Sequence, residues 1–268
     1  MGQLNLHPSL EFAAWDGKTV GNWSRHIDGA DAVINLSGQS LASGRWTEAR
    51  KQQLLASRID PTTAIVEAIR AAKVKPSSLL NASAVGYYGH VPEGVVTEDH
   101  SSGEDFMSRL CSNWEAAANA ANILGVRVIL LRSSIVLDPQ GGALQRMLLP
   151  YRMFVGGPLG SGNQWLSWIH REDEVRAIEF ALEQSGLSGP LNLAAPEPAR
   201  MREFSKVLGM VLRRPSGFRV PAFVLRAILG EMADVVLSGQ RAVPQKLTEA
   251  GFEFRFPKLE EALANLLR

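Results

Sequence analysis

The chain has 268 residues, 46% hydrophobic and 21% charged, which suffices for one large folded unit with a sizeable core. A formal net charge of +1 gives no electrostatic basis for binding nucleic acid or an anionic membrane surface. The single cysteine, Cys111, excludes an internal disulfide and favours a reducing, cytoplasmic setting, and the longest apolar runs, 128–131 and 135–137, are far too short to span a bilayer.

Met1 to His7 shows neither the basic start nor the apolar core of a signal peptide. Residues 10–15 read as an edge strand and 20–27 as a short helix. The run 31–38 is clearer: it is apolar, then stops at Asn35, Ser37 and Gly38, as a buried strand does before a turn. Helical sequence follows from Trp46 to Ala72. Asp60-Pro61 inside it is a helix-start signal, which predicts two helices over 47–58 and 61–72. A strand is expected over 78–83, a long loop over 86–103, a helix over 105–124 and a buried strand over 128–132. A helix after Gly142 is expected to end near Pro150. Further helices are expected over 172–184 and 202–212, with a short strand over 190–193 between them. Strands alternating with helices argue for a parallel sheet covered on both faces. After about Pro215 strand signals fade, and 222–229, 232–237 and 257–267 read as helices of a small C-terminal subdomain over the sheet's C-terminal edge. The expected division is therefore 1–214 and 215–268.

The stretch from Ser78 to Gly89 invites a chemical reading. It begins apolar, shrinks to Asn81, Ala82 and Ser83, and ends in Gly86, Tyr87, Tyr88 and Gly89. A buried parallel strand has this look where its C-terminal end opens to a ligand. Ser83 is the candidate for chemistry and Tyr87 a candidate partner; the alternative is a strand end with a filler serine. Arg132 reads equally as an anion-binding group or as half of an ion pair. His170 reads as a general acid or base, or as the cap of the helix that follows. Cys111 is a helical thiol whose commoner role is a small core residue. Trp168 reads as core or as pocket lining. The five histidines show no metal-ligand spacing.

Several motifs together resemble the extended and atypical short-chain dehydrogenase/reductases: Asn35-Leu36-Ser37-Gly38, the Ser83 strand with Tyr87-Tyr88-Gly89, and Trp114-Glu115. The block from Gly156 to Gln164, with Ser167-Trp168-Ile169-His170 and Asp173, is similar to the narrower epimerase-like family grouped with nucleotide-sugar epimerases. The tail elements Arg214-Pro215, Val220-Pro221, Gly239-Gln240-Arg241, Val243-Pro244 and Gly251-Phe252 are similar to that family's C-terminal domain of unknown function. The resemblance implies a Rossmann-type doubly wound parallel sheet that binds NADP or NAD, with a small-molecule substrate held by the C-terminal part. It implies that Asn35, Leu36, Ser37 and Gly38 sit against the cofactor's adenosine half and that Ala82, Ser83 and Arg132 also line the cofactor. Ser83 falls at the catalytic serine/threonine position. Gly157, Pro158, Gly160, Trp168 and His170 fall on the substrate side, within 141–173.

Two departures from the family pattern qualify this. The family opens with strand, Gly-x-x-Gly-x-x-Gly turn and helix, an arrangement that lets backbone amides and a helix N-terminus meet a pyrophosphate. No such motif occurs here, and the glycines at 156–162 have the wrong spacing. The expectation is that the first β-α-β unit is missing from an N-terminally truncated sequence. The family's tyrosine and lysine, four residues apart on one helix face, fall here at Met107 and Cys111. Three functional readings stand: an NAD(P)-dependent epimerase or oxidoreductase without the usual pair, a catalytically inactive cofactor-sensing or partner-binding protein, or an inactive fragment.

Overall fold

A computed structural model describes residues 9–268; the Met1–His7 stretch read above lies outside them. Four parallel strands form the main sheet: β1 (Ala32–Asn35), β2 (Ser78–Ala84), β3 (Arg127–Ser133) and, after three short strands, β7 (Gly189–Leu193). Their spatial order is β1-β2-β3-β7. The register sets Ser83 beside Arg132 and Arg132 beside Asn192, and it sets Ala84 beside Ser133. Because side chains alternate across a strand, Ser83 and Arg132 face one side of the sheet while Ala84 and Ser133 face the other.

Helices α1 (Glu48–Ala71) and α2 (Phe106–Asn119) cover the first face, where Ile65, Ile69, Ala118, Leu79, Val128 and Leu130 share a core. Helix α4 (Arg171–Glu183) covers the second, burying Ala177 and Ala181 against Leu80, Ile129, Leu131 and Leu193. The doubly wound α/β arrangement expected from the alternating pattern is the one observed. The short strands β4 (Ile135–Leu137) and β6 (Trp168–His170) pair in parallel, and β5 (Trp165–Leu166) pairs antiparallel with β8 (Ala199–Arg200).

The remaining helices are α3 (Gly142–Arg152), α5 (Met201–Leu212), α6 (Ala222–Leu229), α7 (Ala233–Leu237), α8 (Gln245–Glu249) and α9 (Leu259–Leu267). The tail does not build a core of its own. Leu259, Ala262 and Leu263 of α9 pack with Phe204 and Leu208 of α5, Leu144 and Leu148 of α3, and Trp168.

Three local expectations need correction. Residues 10–15 form no strand. Their neighbourhood satisfies its polar groups locally: the Asp16 carboxylate accepts from Lys18 N, Thr19 N and Thr19 Oγ1, and Trp15 and Trp23 both donate to Thr19 O. The two helices expected around Asp60-Pro61 are one continuous helix. Pro61 removes one amide donor there, but Leu54 before it and Ile65, Val66 and Ile69 after it are all buried, so packing carries the helix through. The helix expected over 105–124 ends at Asn119, and a 3-10 turn over Asn122–Leu124 closes on Gly125 at φ 80°. Pro150 is tolerated in the last turn of α3, which runs on to Arg152.

Candidate functional site

Beneath the sheet face covered by α2 lies a sealed polar network. Ser83 Oγ donates to Glu115 Oε1 at 2.6 Å, and Arg132 donates to Glu115 through Nε at 2.8 Å and Nη2 at 2.9 Å. Arg132 Nη1 donates to Tyr88 O–H at 2.9 Å and to the Glu98 carbonyl at 3.1 Å; Tyr88 in turn donates to Asn192 Oδ1 at 2.7 Å. The guanidinium also lies 3.6 Å from the centre of the Tyr87 ring. All of these residues but Tyr87 are buried. Burial pushes the Tyr88 phenol up to about 12, against the opposing pull of Arg132.

A second cluster ties the ends of β1 and β2 to the helices. Asn35 Nδ2 donates to Asn81 Oδ1 at 2.6 Å and to Thr62 Oγ1 at 2.9 Å, and Asn35 Oδ1 accepts from Ser37 N. Trp114 Nε1 donates to the same Thr62 hydroxyl at 3.0 Å. Asn35 thus fixes the turn that presents Ser37 and Gly38. These two, with Gln39, Ser57, Pro61 and residues 15–18, line a shallow cleft of about 430 Å³.

A second cleft, of about 490 Å³, opens at the C-terminal ends of β2 and β3. Ala84, Val85, Gly86, Ser133, Ser134 and Ile135 come from the strand ends; Met107 and Phe106 come from α2, and Trp165 and Ser167 from β5 and its neighbour. Glu231, Asp234 and the segment 238–240 close the far side. Lys51 of α1 crosses the rim to Glu231 at 3.0 Å. The far wall is held in place by long-range bonds: Gln240 Nε2 donates to Val85 O at 2.7 Å, Ser167 Oγ donates to Gln240 O at 2.8 Å, and Val91 N donates to Gly239 O at 3.1 Å. Ser134 and Trp165 contribute to the cleft lining, but Ser134 Oγ and Trp165 Nε1 themselves are shut from solvent and have no hydrogen-bond partner among the described residues. Buried polar atoms of this kind are ordinarily met by an ordered water.

The structure places the sequence candidates as follows. Ser83 and Ala82 stop one step short of the cleft, whose lining begins at Ala84, and the Ser83 hydroxyl is occupied by Glu115. Tyr87 packs on Arg132 and edge-on to Tyr88. Arg132 is half of the Glu115 ion pair. Leu36 is 62% exposed beside the shallow cleft. Gly157, Pro158 and Gly160 form a loop against 218–220 and Leu237, so close that a Cβ on Gly157 would lie 2.2 Å from the Phe218 carbonyl oxygen. Trp168 is core, donating to Glu197 O. His170 caps α4, its Nδ1 accepting from Glu172 N, with its ring stacked on Phe256. Met107 lines the cleft, whereas Cys111 is fully buried with its thiol pushed up to about 12 by burial. Ser133, Ser134 and Trp165 are not singled out by the sequence, and Gln240 stands there only within the tail motif Gly239-Gln240-Arg241. The signal for the serines was present: Arg132-Ser133-Ser134 ends an apolar strand in small polar residues, as Asn81 to Ser83 does.

Residues 4–194 match the model of the NAD dependent epimerase/dehydratase family. The chain belongs to that family. Residues 220–266 match a domain of unknown function, in agreement with the tail motifs. An epimerase family protein of Mycobacterium bovis is 46% identical over 234 residues, covering 87% of this chain and 77% of its own length. One of Bacillus subtilis is 44% identical over 238 residues, covering 88% and 78%. Among solved structures, a human epimerase family protein crystallised with NADPH superposes with a TM-score of 0.84 at 33% identity, covering 91% of this chain and 85% of that one.

The cofactor named for this family can be tested against the residues present. Small side chains at Ala84, Gly86, Ser133 and Ser134 line the cleft and leave room for a planar ring such as nicotinamide. The diphosphate half finds no glycine-rich strand-to-helix turn among the described residues; α1 begins with Glu48, and Thr47 already caps it. The fit is therefore to the nicotinamide end. No helix among the described residues is long and apolar enough to cross a membrane, and no cluster of three or more His, Cys, Asp or Glu among them has the arrangement to hold a metal.

Proposed function

We propose that this chain is an NAD(P)-dependent oxidoreductase or epimerase acting on a small hydroxylated molecule of nucleotide-sugar type, held in the larger cleft. The observation that carries the reading is the position of that cleft, at the carboxyl ends of parallel strands, where open α/β sheets bind their ligands. The NADPH in the human relative supports it. A bound nicotinamide supplies a hydride donor or acceptor. Ser133, Ser134 and the backbone around Ala84–Gly86 shape the seat of the ring, and Trp165, Gln240 and Ser167 hold the far wall against the substrate. The buried free thiol of Cys111 accords with a cytoplasmic, reducing setting.

Titration of NADPH fluorescence with the 268-residue protein tests this directly. Saturable binding is expected, weakened in Gly239→Ala and competed by reduced nicotinamide mononucleotide more effectively than by ADP-ribose. No saturation at millimolar cofactor would end the reading. The sealed Tyr88 phenol and Cys111 thiol favour a second reading, a cofactor sensor without turnover. It predicts NADPH binding with no hydride exchange to any nucleotide sugar.

A further inference from the structure

We infer that Ser133 and Glu174 form a proton relay in the floor of the cleft: Ser133 Oγ takes a proton from a ligand hydroxyl as its own proton passes to Glu174. The inference rests on the oxidoreductase or epimerase reading, because either reaction must move a hydroxyl proton.

The sheet itself delivers the pair. Ser133 is the last residue of β3, beside Ala84, and its side chain turns to the α4 face while the neighbouring Arg132 turns to α2. It lines the cleft on one side and donates to Glu174 Oε1 at 2.6 Å on the other. Glu174 Oε2 is shut from solvent and has no hydrogen-bond partner among the described residues. A carboxyl bonded through one oxygen, with the other left open, has room to take a proton. The alternatives at this end of the sheet are engaged: Ser83 donates to Glu115, Tyr88 donates to Asn192, and Cys111 lies in the core.

Among the described residues, nothing charged offsets the Glu174 carboxylate. Of the strands packed on α4, β2 and β4 carry no ionisable side chain. Arg127 of β3 donates to the carbonyls of Ala181, Leu182, Gln184 and Leu187, and Arg132 is held by Glu115. His170 of β6 bonds Asn265 and Glu172 N. On the 253–256 segment, Arg255 pairs with Glu172; on α4 itself, Arg176 pairs with Asp173, Arg171 pairs with Asp138, and Glu179 and Glu183 lie farther along the helix. Burial accordingly raises the Glu174 carboxyl to about 7, with the Ser133 bond opposing it. A group poised there serves as base or acid near neutral pH.

The proton count closes within the pair. The ligand O–H breaks as a new Ser133 O–H forms, the old Ser133 O–H breaks as Glu174 gains its proton, and the ligand is left as an alkoxide. Run backwards, the same steps protonate an alkoxide.

Infrared difference spectra of wild type against Glu174→Gln, recorded across pH, test the inference without any cofactor, so its failure is separate from failure of NADPH binding. A carboxylic-acid band that disappears with a midpoint near 7 is expected in the wild type alone. In Ser133→Ala the midpoint should rise, and on mixing into D2O the band should exchange more slowly than in wild type, because the route to the cleft is gone. A midpoint in the ordinary carboxylate range of about 4.3 would overturn the proposal. Exchange unaffected by Ser133→Ala would do so too. Should Glu174→Gln fail to fold, carboxyl-13C glutamate NMR of the unmutated protein reads the same titration.

Discussion

Arg132 and Glu115 meet through two hydrogen bonds of 2.8 and 2.9 Å, with both side chains buried under α2. Each satisfies the other's charge, and neither has another ion-pair partner among the described residues. Removing one partner of such a pair leaves an uncompensated buried charge. Glu115→Ala should therefore cost about 3–5 kcal/mol. Ser83→Ala, which removes one hydrogen bond and leaves the pair intact, should cost about 1 kcal/mol. Urea unfolding followed by circular dichroism measures both; equal losses in the two variants would contradict this account.

Gly239 is a steric test of the cleft wall. A Cβ there would lie 2.0 Å from the Trp165 carbonyl oxygen, and both residues line the cleft. Gly239→Ala should lower the melting temperature and weaken NADPH binding together. Gly217→Ala, where a Cβ meets nothing within 4 Å, should change neither.

The Glu174 carboxyl also sets a direction for stability against pH. Its folded value of about 7 stands above the unfolded value of 4.5, so the folded chain holds this proton to higher pH than the unfolded chain. The contribution is full below 4.5 and is lost as pH rises through 7. Each unit of separation between the two values corresponds to about 1.4 kcal/mol. Glu174→Gln should therefore be more stable than wild type at pH 8 and should lose that advantage as pH falls toward 4.5. Chemical denaturation at the two pH values decides it.

Cys111, the only cysteine, serves as a reporter of opening. It is fully buried and its thiol is held up to about 12, so almost no thiolate is available in the folded state. Labelling by Ellman's reagent at pH 8 should be slow and should track global unfolding as denaturant is added. Rapid labelling of the folded protein would mean that α2 leaves the sheet readily.

Much of the fold is legible in the sequence because its parallel strands are apolar runs ending in small polar residues; 31–38, 78–83 and 128–134 all show this, although the burial expected of the first is not met, since Ile34 of β1 is 46% exposed. Asp60-Pro61 misleads because a local start signal is overridden by the burial of Leu54, Ile65 and Ile69. The site was less legible. Ser83 has the right sequence context, yet the pleat aims it at Glu115 and gives the cleft to Ala84 and Ser133 one residue on. Glu174 sits in the charged run Arg171-Glu172-Asp173-Glu174, which reads as a solvated helix start until the strand register brings Ser133 over it.

The bond from Gln240 to Val85 joins residues 155 positions apart, and the Lys51–Glu231 contact spans 180. Closing a chain loop of that length costs about 4–5 kcal/mol of entropy before any contact is gained. The far wall of the cleft is therefore among the last parts to assemble during folding and among the first to detach in partial unfolding. A ligand bridging the strand ends and residues 238–240 acts on that local equilibrium, so its binding should be seen first as slowed amide exchange in the 238–243 segment.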